Sequence, residues 1–274
     1  MNTSTSNAAP AATSRSRAGR SSWVRTLRGE SIRFFSLRSS QWTLVSALLS
    51  TAALASISTA FWSDGEPVVP EVGHTVQALS GLVVTQVILG VMGALMMASE
   101  YSTGSITTTT LAVPTRHWQL TSKAVVLAAA VFPVGLAGGA LSFFATGALL
   151  DPQSHQVQSI ADPDVLASLL GSAVYLTAIA LLGLGIGALS RSIASSVAIV
   201  TGGIYILPEL ARVVLPASGY DSAGAYLPSV AGEALWTPVE NPDLLSAPMA
   251  AITLTTWVVA ILLAGGIVMM RRDT

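Results

Sequence analysis

The residues with chemistry to offer are few, and most lie in one stretch. Between two long apolar runs the chain reads Glu100-Tyr101-Ser102-Thr103-Gly104-Ser105-Ile106, then four threonines, then Leu111-Ala112-Val113-Pro114-Thr115-Arg116, with Lys123 opening the next apolar run. Glu100 stands where its run leaves the membrane, a place where a charge reaches water. Gly104 permits a turn. Residues 105–113 are long enough for a short helix, which Pro114 would end. Arg116 and Lys123 suit a lipid headgroup layer. The product is a short structured element held just below a bilayer. The plainer alternative is an ordinary polar loop.

Other chemistries are excluded by residue type. A phosphate-cradling P-loop needs a lysine among glycines, but the one lysine, Lys123, stands in Leu-Thr-Ser-Lys-Ala. The chain is therefore not its own P-loop motor, and no catalytic residue is assigned. With no cysteine there is no disulfide, thiolate metal site or cysteine nucleophile. His74, His117 and His155 are too scattered to suit a metal site and read as solvated loop residues. Gly183 and Gly187 lie inside an apolar run, as do Gly135 and Gly139. They read as places where helix backbones pack closely, not as a nucleotide loop. Glu209 and Arg212 are the remaining unusual pair, three apart and near the end of an apolar run, after Pro208. Charges at membrane depth are costly and commonly functional, so they are candidates for a substrate pathway. The alternative is a structural or interfacial pair.

What must position these residues is a set of membrane helices. The chain has 274 residues, of which 51% are hydrophobic and only 10% charged, against roughly 25% charged in soluble domains. Its mean hydropathy is +0.64. A spanning helix needs about 20 apolar residues at a rise of ~1.5 Å per residue. Six stretches qualify, over residues 42–62, 76–98, 124–150, 165–190, 193–215 and 247–270. With the N-terminus in the cytoplasm, every Lys and Arg except Arg212 falls on the inner side, while the loops outside are acidic. That asymmetry predicts an all-α membrane protein, N-in and C-in, in the cell membrane.

Residues 1–21, rich in Ser, Thr, Ala and Arg, read as a disordered basic cytoplasmic tail. Their composition also fits an organelle transit peptide, but the charge rule favours a tail. The first span is too long, and too far from the start, for a cleavable signal. Residues 22–39 mix aromatics with arginines and predict an interfacial helix, aromatics toward lipid and arginines toward phosphate. A basic linker is the alternative, because Gly29 weakens the helix and the apolar stripe is not clean. Residues 40–272 form the six-helix domain. The segment 216–246 carries four prolines among apolar residues and predicts short re-entrant or interfacial elements.

The run Glu-Tyr-Ser-Thr-Gly-Ser-Ile, then Thr-Leu-Ala-Val-Pro-Thr-Arg, then Lys123 resembles the signature of ABC type-2 permeases, especially the small actinobacterial ones. Tyr226-Leu-Pro-Ser-Val-Ala-Gly232 looks like that group's segment before the last span. The six-span plan, the N-terminal helix and the short basic C-terminus fit as well, so the resemblance covers residues 22–272. Two positions depart from it: Thr107 stands where a basic residue is common, and Val230 where Asn is common. The resemblance implies the permease subunit of an exporter. ATP and Mg would sit on a separate ATP-binding subunit, and a second permease chain, identical or paralogous, would complete the pathway. Residues 100–116 would be the coupling element that docks on the ATP-binding subunit, shaped and held by Glu100, Gly104, Pro114 and Arg116. Lipid is an expected partner and nucleic acid is not.

Three other classes compete. One is an ATPase-coupled or autonomous membrane module that moves no substrate, although the large external domain usual in such proteins is missing. Another is an intramembrane enzyme, disfavoured because five of the six spans are uncharged. The third is an ion-coupled transporter, which usually shows buried acids or broken helices at mid-membrane; only the fifth span comes close.

Overall fold

A computed structural model describes residues 23–63, 73–103, 116–150, 158–217, 221–238 and 244–271. Among them the regular structure is entirely helical, and six helices are long and apolar enough to cross a membrane. The elements are α1 (Trp23–Ser36), α2 (Arg38–Ser63), α3 (His74–Leu79), α4 (Leu82–Ser102), α5 (Arg116–Gly147) and α6 (Pro163–Ser190). There follow α7 (Ile193–Thr201), a π-helical turn (Gly202–Ile206), α8 (Leu207–Ala217), a 3-10 turn (Asp221–Tyr226), α9 (Pro228–Trp236) and α10 (Ala247–Arg271). The proposed tail, residues 1–21, lies outside the described residues, as do Gly104, Pro114, Thr107 and His155.

The six expected spans are all present, with shifted edges. The second is α3 plus α4, broken at Ser80-Gly81, where a Cβ on Gly81 would lie 2.1 Å from the Thr51 carbonyl oxygen of α2. The third begins at Arg116, two turns earlier than hydropathy alone places it. The fifth runs through the π turn as α7 and α8.

Helix α6 is the axis of the bundle, packing on α4, α5, α7, α9 and α10. Its start is well specified: Asp162 accepts a hydrogen bond from the Asp164 N–H at 3.0 Å, and Pro163 takes the first helical position. It ends at Arg191, which adopts φ 55 and returns its N–H to Gly187 O at 3.2 Å, so that α7 starts after two residues. Glycine fixes its contact with α4. A Cβ on Gly183 would fall 2.0 Å from Gly90 O, one on Gly93 1.9 Å from Ala180 O, and one on Gly187 2.3 Å from Ala94 O. The expected close packing at Gly183 and Gly187 is therefore present, and its other half is supplied by Gly90 and Gly93. Gly135 and Gly139 of α5 also press on α6, at Ala173 and Leu169.

Burial is uneven. In the most apolar 18-residue windows, 61% of the second and fourth spans is buried, but only 11% of the fifth and 17% of the sixth. The inner spans thus belong to a core, and the fifth and sixth present apolar side chains outward. Among the described residues of 216–246 the chain forms two short elements, the 3-10 turn and α9. A Cβ on Gly171 of α6 would meet Leu235 O at 1.9 Å, and the Trp257 indole donates to Tyr226 O at 2.9 Å.

One histidine reading is corrected. His74 is buried, not a solvated loop residue. Its ring packs against Phe143 at 4.3 Å between centroids, and its Nε2 lies 3.1 Å from Thr146 Oγ1, pinning α3 to α5. A buried imidazole needs such a partner, since an unmet polar atom there is expensive.

Candidate functional site

At the end of the bundle that carries α1, three helices bring four charges together. Lys123 Nζ of α5 lies 2.8 Å from Glu30 Oε2 of α1 and 2.8 Å from Glu100 Oε1 of α4. Arg33 of α1 donates to the same Glu100 oxygen. Gln119, one turn before Lys123, donates to Glu100 Oε2 at 3.0 Å. The side chains of Glu100 and Lys123 are each 1% exposed and that of Glu30 8%, whereas Arg33 is 44% exposed. The set holds two acids and two bases. Burying a lone charge costs several kcal/mol, so such a set persists only when paired and hydrogen-bonded.

Local structure explains the convergence. Thr26, Glu30 and Phe34 are spaced four apart and form the buried face of α1. Phe34 enters the main core, which also holds Leu120 of α5. That packing places Glu30 over Lys123. On α5, Gln119 and Lys123 are likewise four apart and share a face. Glu100 reaches them from the last turn of α4, which closes at Thr103 with an N–H bond of 3.1 Å to Ser99 O. The Gln41 amide donates to Phe35 O at 2.6 Å, tying α1 to the first turn of α2.

Two readings of the sequence are corrected here. Glu100 does not reach water at the end of its span. Lys123 is not turned out toward headgroups but buried within the protein, seven residues into α5. The orientation expected of α1 also changes: Arg33 turns toward Glu100, and the buried face includes an acid. Glu30 and Arg33 were not singled out by sequence reasoning. Of the other expected coupling residues, Arg116 is the first residue of α5, while Gly104 and Pro114 belong to the segment outside the described residues. That segment therefore leaves from the helix of Glu100 and returns into the helix of Lys123.

A second staple holds the same end. The Arg191 guanidinium lies 4.9 Å above the Tyr101 ring, and its Nη2 donates to Val268 O at 3.1 Å. It joins the α6–α7 turn to α4 and α10.

The opposite end is built differently. Glu209 and Arg212 approach to 3.4 Å, as their spacing predicts, and Arg212 lies 3.9 Å from Glu233 of α9. These side chains are 71%, 60% and 38% exposed. They border a cavity of about 340 Å³ that reaches inward to Gln86, Tyr175 and Tyr205. The Tyr175 hydroxyl donates to Gln86 Oε1, and Tyr205, in the π turn, donates to Val83 O. A π turn inserts a residue into a helix and often marks a functional place. Here its Gly202 and Gly203 have no neighbour that a Cβ would meet. Among the described residues no group of three His, Asp or Glu is placed to hold a metal ion.

No protein-family model matches the chain, and no curated protein matches it.

Proposed function

We propose that the chain is the membrane-spanning permease subunit of an ABC exporter of the type-2 kind, in the cell membrane. It moves a substrate outward using ATP hydrolysed by a separate subunit. One observation carries the reading: the buried network of Glu30, Arg33, Glu100 and Lys123 grips both helices from which the 104–115 segment leaves and returns. A segment that must transmit a push needs rigid attachments. The network makes α1, α4 and α5 move as one body, and packed, hydrogen-bonded elements carry such coupling. The basic residues crowd the network's end of the bundle, which supports a cytoplasmic position for that end, with α1 at the bilayer surface. ATP-driven closure of two partner subunits then moves the helices through this element. The poorly buried fifth and sixth spans suit contact with a second permease chain or lipid. The cavity beside Glu209, Arg212 and Glu233 lies at the other end, where substrate would leave.

The test is co-purification. The tagged chain, expressed with its neighbouring genes and gently solubilised, is expected to bring down an ATP-binding subunit in equal amount. Glu100→Gln with Arg116→Gln is expected to release it. A chain that purifies without any nucleotide-binding partner, or a double variant that still binds and transports, ends this reading.

A further inference from the structure

Beside the buried network a cleft of about 610 Å³ runs between α1, α2 and α4. That volume lies within the range of small-molecule sites. Its walls differ in character along their length. One side is apolar and comes from α4: Val87, Ile88, Val91, Met92, Leu95 and Met96. From Val87 to Ser99 this wall rises twelve residues, about 18 Å, close to the depth of a single leaflet of a ~30 Å hydrocarbon core. The opposite side comes from the start of α2 and is hydroxylic, with Ser39, Ser40, Thr43 and Ser46. The head of the cleft is charged. Glu30 and Lys123 line it but are buried and paired with each other. Arg33 also lines it and keeps 44% of its side chain exposed, while offering five donors in all. Leu95 and Ser46 are exposed although they lie within spans, so the cleft opens to the surroundings of the bundle at membrane depth.

From this combination we infer that the cleft is a binding site for an anionic phospholipid of the leaflet on the α1 side. The acyl chain lies along the α4 wall, and the phosphate sits between Arg33 and the first turn of α2. Three features select that occupant. The apolar wall has the depth of an acyl chain in one leaflet. A guanidinium matches a phosphate with paired donors. The start of α2 adds the positive end of a helix, the hydroxyls of Ser39 and Ser40, and the exposed Arg38. Since Glu30, Lys123 and Glu100 balance one another together with Arg33, the surplus positive charge comes from the exposed Arg38, next to Ser39 in the first turn of α2. A choline headgroup would meet that charge with its own cation. The site does not depend on the ATP-coupled reading, because a lipid can hold α1 to α2 and α4 whether or not the chain transports anything.

The experiment is a lipid titration of the full-length purified chain, followed by native mass spectrometry. It compares phosphatidylglycerol with phosphatidylcholine of identical acyl chains. The first phosphatidylglycerol is expected to bind about tenfold more tightly than the first phosphatidylcholine. Arg33→Gln is expected to abolish that preference, while Arg28→Gln, an equal loss of charge on an exposed face of the same helix, keeps most of it. Leu95→Trp, at an exposed position that fills the tail groove, is expected to weaken both lipids without changing the elution volume of the protein. Should Arg33→Gln fail to fold, Leu95→Trp decides alone. Equal binding of the two lipids, or first-lipid binding unchanged by Leu95→Trp, overturns the assignment. So does competition by glycerol phosphate as effective as by the whole lipid, which would make the site one for an ion.

Discussion

The two ends of the bundle use the same residue types in opposite environments. At the α1 end, Glu30, Glu100 and Lys123 are almost wholly buried and joined at 2.8 Å across three helices. At the other end, Glu209 and Arg212 are exposed, Glu233 is half-buried, and the three approach to only 3.4 and 3.9 Å. An exposed pair adds little to stability because solvent screens it. A buried set, once one member is removed, leaves an uncompensated charge out of reach of water. The first arrangement therefore locks helices together, and the second leaves polar groups available to a cavity.

That contrast can be broken by substitution, and the largest effect is expected at Lys123. Lys123→Met leaves Glu30 and Glu100 buried without their shared cation. The expected loss is roughly 3–5 kcal/mol of stability, read as a fall in the thermal unfolding midpoint in detergent. Adding Glu30→Gln should return part of that loss. If the two changes simply add, the groups are not coupled and the network does not hold the helices.

Gly93→Val tests the scaffold behind both ends. The α4 and α6 backbones touch at this position, so overpacking is expected to cost roughly 1–3 kcal/mol, by the same measurement. Gly202→Ala, in the π turn at a helical φ of -63 with no neighbour in reach, is expected instead to stabilise slightly, by roughly 0.4–1 kcal/mol, because alanine loses less backbone freedom on folding.

The smallest effect is expected at the exposed end. Arg212→Ala is expected to change stability by about 0–1 kcal/mol while still altering transport if the nearby cavity lies on the substrate path. A large destabilisation would show that this pair is structural and erase the difference between the two ends.

Much of the fold was legible because hydropathy is a sum over many residues. All six candidate spans lie where long apolar runs place them. The site was harder because it depends on boundaries and faces. Hydropathy starts the third span at residue 124, which strands Lys123 at its mouth. The helix starts at Arg116, which carries Lys123 two turns inward. Glu30 was hidden because it sits among arginines on a helix whose apolar stripe is imperfect. The signal was nonetheless there: a stripe of Thr26, Glu30 and Phe34, four apart, with an acid where an apolar residue would normally pack. Such a stripe asks for a buried cation on the facing helix, and the chain has only one lysine to supply it. Contacts such as Tyr205 with Val83 O were not legible, since a π turn has no composition signal that separates it from ordinary helix.

The most direct test of the central claim uses the absence of native cysteine. A single cysteine at Thr109, in the segment whose two flanking helices the buried network grips, provides the sole thiol for a cross-linker. The experiment co-expresses the chain with its neighbouring genes and repeats it with Lys123→Met. The expected result is a cross-link to an ATP-binding subunit whose yield changes with ATP and falls sharply in the Lys123→Met background, in a variant that still elutes as a folded protein. Absence of any nucleotide-binding partner at Thr109, or a cross-link indifferent to Lys123, would contradict the account.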